Sequence, residues 1–86
     1  MRDVTDVECL DGTRLLLTFD DGDRRELDIA SLTDFKGVFQ PLTDPAYFRR
    51  VRVKPDIGTI VWPNGADFCP DVLYERSTPA PTQESA

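Results

Sequence analysis

Ile60-Val61-Trp62-Pro63-Asn64-Gly65-Ala66-Asp67 contains the only tryptophan of the chain and its only Pro-Asn-Gly. The octet joins a strand-like apolar run to a short helix-like one. A large aromatic, a proline and an Asn-Gly pair suited to positive φ together describe a strand end folded sharply back on its own core. Trp62 has two readings. It is either a core residue whose indole N–H meets a backbone carbonyl, or a partly exposed anchor for a ligand or partner. Asn64-Gly65 reads as a turn that needs left-handed backbone geometry. Asp67 is either a cap on the turn that follows or a ligand-binding carboxylate.

Upstream of the octet, apolar alternation sets out an antiparallel meander. Residues 3–10 read as a strand ending at Asp11-Gly12, a two-residue hairpin signal. From Thr13 to Phe19, the side chains of Leu15, Leu17 and Phe19 share one face at period two. Asp20-Asp21-Gly22-Asp23 supplies a second turn. Arg25, Leu27 and Ile29 then alternate against Arg24, Glu26 and Asp28 in a third strand over 24–29. Between Ala30 and Lys36 the pattern loosens, and Gly37 reads as the stop of a single helical turn. Asp44-Pro45 starts a short helix over 44–50, with Asp as N-cap and Pro at the first helical position.

Val51 and Val53 alternate with Arg50, Arg52 and Lys54 in a fourth strand. Pro55-Asp56-Ile57-Gly58 turns the chain, and Thr59 to Trp62 forms a fifth strand. Pro70 opens a second short helix over 70–76. Residues 77–86 contain no large apolar residue and read as a disordered tail. The expected fold is therefore α+β: an antiparallel meander of about five short strands with two short helices. A single domain spans 1–76 and the tail spans 77–86. Its predicted core is Leu15, Leu17, Phe19, Leu27, Ile29, Phe39, Leu42, Phe48, Val51, Val53, Ile60, Trp62 and Leu73.

With 86 residues and 40% apolar composition, the chain is one small soluble domain, near the size at which a single core is only just sufficient. No apolar run approaches the ~20 residues of a membrane span, so no membrane contact is expected. Met1-Arg2-Asp3-Val4-Thr5-Asp6 lacks the basic start and apolar stretch of a signal peptide, which leaves the cytoplasm as the expected compartment. Cys9 and Cys69 stand without any histidine, a poor basis for a zinc site, and in a reducing compartment both read as small hydrophobes rather than a disulfide.

The net charge is −6, but its sign is unevenly placed. Residues 36–55 carry Lys36, Arg49, Arg50, Arg52 and Lys54 against Asp44 alone, while both flanking segments are acidic. An acidic whole lacks the dominant positive field that sequence-independent nucleic-acid binding requires. No direct nucleic-acid role is therefore expected.

Several of these pieces resemble a small bacterial family, domain of unknown function 2442. They are Leu17-Thr18-Phe19-Asp20-Asp21-Gly22, Leu27-Asp28, Phe39-Gln40-Pro41-Leu42 and Phe48. The most specific is Gly58-Thr59-Ile60-Val61-Trp62-Pro63-Asn64-Gly65-Ala66-Asp67-Phe68, with Pro70 and Leu73-Tyr74 after it. The resemblance implies a compact α+β fold with no established activity and no cofactor. It also implies companionship with toxin–antitoxin modules, often beside a small partner protein. Some relatives are fused to a C-terminal helix-turn-helix domain. Since a polar segment follows Tyr74 here, no DNA-binding role is expected to carry over from those fused relatives.

The candidate interaction or ligand surface is Trp62, Asn64, Asp67, Arg50, Arg52 and Lys54. The last three are expected on one face of a strand, either as charged gatekeepers of an exposed edge or as a docking stripe for an acidic partner. The opposite edge, Val4 to Cys9, is expected to be open to a second copy or to an operon partner. Asp20, Asp21 and Asp23 lack the ligand spacing of a calcium loop and read as a solvated hairpin tip, so no metal site is expected. For catalysis the inventory is thin. Cys69 before Pro70 has the position of a helix N-terminal thiol, but no histidine stands beside it as a base. The leading expectation is a non-enzymatic protein-interaction module, the antitoxin-like or regulatory member of a two-gene pair. The alternatives are a small-molecule-sensing domain with a pocket near Trp62 and, behind it, a minimal enzyme.

Overall fold

The computed structural model describes residues 3–80. Three strands, β1 (Val4–Cys9), β2 (Arg14–Phe19) and β3 (Arg24–Asp28), form the expected antiparallel meander. In the second of its turns, the N–H of Phe19 donates to Asp23 O and that of Gly22 to Phe19 O, each at 2.9 Å. Leu15, Leu17, Phe19 and Leu27 point from this sheet into the core, as period-two alternation requires. The two sequence-derived helices appear as α1 (Pro45–Phe48) and α2 (Pro70–Arg76). Asp44 caps α1 by accepting the Ala46 N–H at 3.0 Å.

Helices of four and seven residues do not hold themselves together in water, where even Ala-rich helices under ~12 residues are marginal. Tertiary packing holds them instead. Phe48 in α1 and Leu73 in α2 are buried in the same cluster as the inward face of the sheet. Each such side chain contributes about 1.5–3 kcal/mol on burial, more than the helix backbone does.

Between β3 and α1 the chain makes two 3-10 segments, Ile29–Ser31 and Gly37–Thr43. Gly37 opens the second of these with φ 61 and does not close a helical turn as its sequence context suggested. The helical turn lies earlier because Asp28 caps it, accepting from Ala30 N at 3.0 Å. In the intervening loop Phe35 also has φ 61, a conformation uncommon for a bulky side chain. Its N–H donates to Thr33 Oγ1 at 3.1 Å while its ring packs against the core.

β4 (Arg52–Lys54) and β5 (Thr59–Val61) form a separate antiparallel hairpin that packs against β1. The junction is tied by the Val4 N–H, which donates to Gly58 O at 2.8 Å. Gly58 has φ +69, and a Cβ there would run into the Asp3 side chain. Gly58→Ala is therefore expected to cost about 1–3 kcal/mol, combining a left-handed alanine with a displaced Asp3. Adding Asp3→Gly should recover the steric part and leave the backbone part, which thermal unfolding of the single and double variants separates.

Two core positions depart from the sequence pattern. Val4 is buried because the β1–β2 register shifts between Val4 and Asp6, so a bulge reverses the parity set by Val7 and Cys9. Ala66 is buried beneath the turn that follows Trp62. Conversely, Phe39, Val51 and Val53 are only partly buried against the core.

Residues 77–79, read from sequence as the start of a tail, take part in the fold. Ser77 is buried, and Thr78–Pro79 forms β6, pairing with β3 to give the sheet order β1-β2-β3-β6. Polar composition misled here because backbone pairing needs no apolar side chain. Of the predicted tail, residues 81–86 lie outside the described residues.

Candidate functional site

The octet Ile60–Asp67 folds back on itself as a tight hairpin. Gly65 N donates to Trp62 O and Trp62 N to Ala66 O, both at 2.9 Å, and Val61 bridges to Asp67. Gly65 has φ 90, so a β-turn with Pro63 second is followed by one left-handed residue, a common three-residue hairpin loop. Asn64 serves this geometry twice. Its Oδ1 accepts the Ala66 N–H at 3.1 Å, and its Nδ2 donates to Val38 O at 2.9 Å.

Trp62 takes the core role of its two readings. It is 1% exposed, and its Nε1 donates to Phe48 O at 3.0 Å. Phe48 and Phe68 flank the indole, with ring centroids at 5.7 and 6.2 Å. Trp62 thus joins α1 to β5 and has no surface to offer a partner. Asp67 is exposed, and the cap it was expected to provide is absent among the described residues. The following turn is instead fastened by Thr59, whose hydroxyl donates to Phe68 O.

The basic residues do not form one stripe. Arg50 lies in the turn after α1, its guanidinium 5.8 Å from the Tyr47 ring centroid. Arg52 and Lys54 lie on β4 with Val53 between them turned toward the core. Lys54 is engaged with Asp56 at 3.7 Å. β4 is paired to β5 on one edge and packs against β1, so the basic side chains sit on a two-stranded hairpin and not on the edge of the main sheet. The Val4–Cys9 edge is likewise partly covered, since the same hairpin lies against it. Arg49, Arg50 and Arg52 make no ion pair among the described residues, in contrast to Arg14, Arg25, Lys36 and Lys54.

Both cysteines are free. Burial pushes the Cys9 thiol up, with Arg49 opposing and Glu8 adding to the shift. At neutral pH Cys9 is therefore a neutral thiol and a weak nucleophile. Cys69 stands at the N-cap of α2, exposed, without a side-chain capping bond. The acidic hairpin tip has internal uses: Asp21 Oδ1 accepts the Asp23 N–H at 2.9 Å, and Asp23 faces Arg25. Among the described residues no group of three His, Cys, Asp or Glu could hold a metal ion. None of the helices described is long and apolar enough to cross a membrane.

Two features escaped the sequence reading. The first is the cluster around Arg25, an arginine on the inward face of β3 opposite Leu17. Its Nε and Nη2 donate to Ser77 Oγ and Ser77 O, each at 2.8 Å, and its guanidinium lies 4.2 Å from the Tyr74 ring centroid. A signal was present, because Arg25 alternates in phase with Leu27 and Ile29.

The second is a cavity of about 300 Å3. One wall is the β1–β2 turn, with Leu10, Gly12 and Thr13. Facing it are Leu42, Thr43 and Pro45, with Phe48 and Arg49 from α1 and its end. No sequence signal marks this cavity, because its walls come from segments about thirty residues apart.

The class defined by these features is a small α+β domain with a covered aromatic hairpin, a short run of unpaired arginines and no assembled catalytic set among the described residues. A family model described as "Protein of unknown function (DUF2442)" matches residues 4–79, and the chain belongs to that family. No curated protein and no solved structure matches it.

Proposed function

We propose that the protein is a non-enzymatic interaction module that binds an acidic partner protein, as the antitoxin-like or regulatory member of a two-gene pair. The observation that carries this reading is that Arg50 and Arg52 make no ion pair among the described residues, on a chain whose net charge is −6. With Arg52 on β4 and Arg50 in the turn before it, guanidinium groups free of ion pairs among the described residues keep their bidentate donors available to carboxylates on another surface. The rest of the acidic surface repels wrongly oriented encounters with such a partner, which gives orientation as well as affinity. The net negative charge also disfavours a phosphate backbone as the ligand.

The test is co-purification from the native host with the product of the neighbouring gene, followed by charge reversal. Arg50→Glu with Arg52→Glu should weaken partner binding at least tenfold while leaving the melting temperature within a few degrees of the parent, since exposed charges contribute only about 0–1 kcal/mol to stability. A protein that always purifies alone, or a double variant that binds unchanged, would sink the reading.

A further inference from the structure

The cavity between the β1–β2 turn and α1 is separate from the residues invoked for partner binding. Its volume of about 300 Å3 lies at the lower end of small-molecule pockets, with space for ~10 water molecules. Three observations define what it would take. Its apolar lining is Leu10, Leu42, Pro45 and Phe48, and no acidic residue is in the lining. Its one formal charge is Arg49, whose guanidinium has no ion pair or hydrogen bond among the described residues. The backbone N–H groups of Gly12 and Thr13, in the same lining, donate to no acceptor among the described residues.

The acids adjoining this lining in sequence are otherwise occupied. Asp11 pairs with Arg14 at 2.5 Å, and Asp44 accepts the Ala46 N–H. Neither offsets Arg49 by direct pairing. A single planar cation over apolar walls suits a monoanion with a flat, two-oxygen head group. A phosphate dianion would call for more cations, and an uncharged hydrocarbon would leave the cation and the two N–H groups unused.

We propose that this cavity binds a small carboxylic acid with an apolar body, of the aryl or branched-chain monocarboxylate class. Its carboxylate pairs with Arg49 and its body packs on Phe48, Leu42 and Leu10. Because Phe48 touches the Trp62 indole, occupancy is sensed by the hairpin that joins α1 to β5.

The full chain, labelled with nitrogen-15, is titrated with phenylacetate and with its uncharged isostere phenylacetamide. Phenylacetate should shift the Gly12, Thr13 and Arg49 amides and saturate in the millimolar range expected of a ligand this small, about −4 kcal/mol. Phenylacetamide should bind at least tenfold more weakly. Arg49→Gln should weaken phenylacetate tenfold and leave phenylacetamide unchanged. Thr43→Trp should fill the cavity and abolish both shifts while the other amide signals keep their positions. Arg50→Glu with Arg52→Glu should leave phenylacetate binding within threefold, which separates this site from the partner surface.

Equal binding of acid and amide would overturn the proposal, as would undiminished binding in the Arg49→Gln or Thr43→Trp variant. The absence of shifts at 20-fold the millimolar range would do the same. A tripeptide ending in Phe that binds more tightly than phenylacetate would overturn it in favour of a partner's chain terminus.

Discussion

Phe48→Ala is expected to cost about 3–5 kcal/mol, enough to leave so small a domain largely unfolded, since total stabilities start near 5 kcal/mol. Phe48 is 2% exposed, and its ring is the main apolar attachment of a four-residue helix that cannot persist alone. Its ring also covers the indole of Trp62, and its carbonyl accepts the indole N–H. Losing the ring therefore frees α1, and with it the acceptor that keeps a buried donor satisfied. Urea unfolding followed by Trp62 fluorescence is the direct measurement. Should the alanine variant fail to fold, Phe48→Leu supplies the graded version, with an expected loss of about 1–2 kcal/mol. A change below ~1 kcal/mol for Phe48→Ala would mean that α1 is held some other way.

Deleting residues 77–86 is expected to cost about 2–4 kcal/mol, although that segment contains no large apolar residue. The deletion removes the Oγ and O atoms of Ser77, the two acceptors that face Arg25. It leaves the guanidinium, 14% exposed in the intact chain, with only Asp23 at 3.4 Å and the Tyr74 ring as partners. It also strips the Thr78–Pro79 pairing from β3, exposing a strand edge beside Glu26. Arg25→Met removes the charge that makes the loss expensive. In that background the same deletion should cost at least ~1 kcal/mol less, a coupling that a double-mutant cycle reads directly. Full additivity would assign the effect to the lost strand pairing alone.

Most of what proved legible in this chain was local. Asp11-Gly12, Gly22 and Pro63-Asn64-Gly65 mark turns, because a positive φ is written into the residue that adopts it. Asp44-Pro45 announces α1, because the capping carboxylate and the amide it serves lie two residues apart. Alternation in β2 and β3 placed Leu15, Leu17, Phe19 and Leu27 inside, because pleating obliges neighbouring side chains to opposite faces.

Alternation broke down at Val4, where a bulge inserted by pairing with β2 shifts the parity. It also predicted one face for Arg50, Arg52 and Lys54, whereas β4 begins only at Arg52 and Arg50 belongs to the preceding turn. For the candidate site, the sequence supplied the charge reversal over residues 36–55 and the aromatic octet, but assigned neither a depth nor a neighbour to any of them.

The sequence by itself determined the first five strands, the hairpin turns between them and the two short helices, each of which rests on residues within a few positions of one another, but not β6. The tertiary structure alone decided that Trp62 is covered, that Arg25 meets Ser77 across 52 positions, and that Arg49 lines a partly apolar cavity with no ion pair among the described residues. The reason is physical. Turn and helix signals act through the geometry of one or two peptide units, whereas burial, pairing and cavities depend on which distant surfaces meet once the chain has closed.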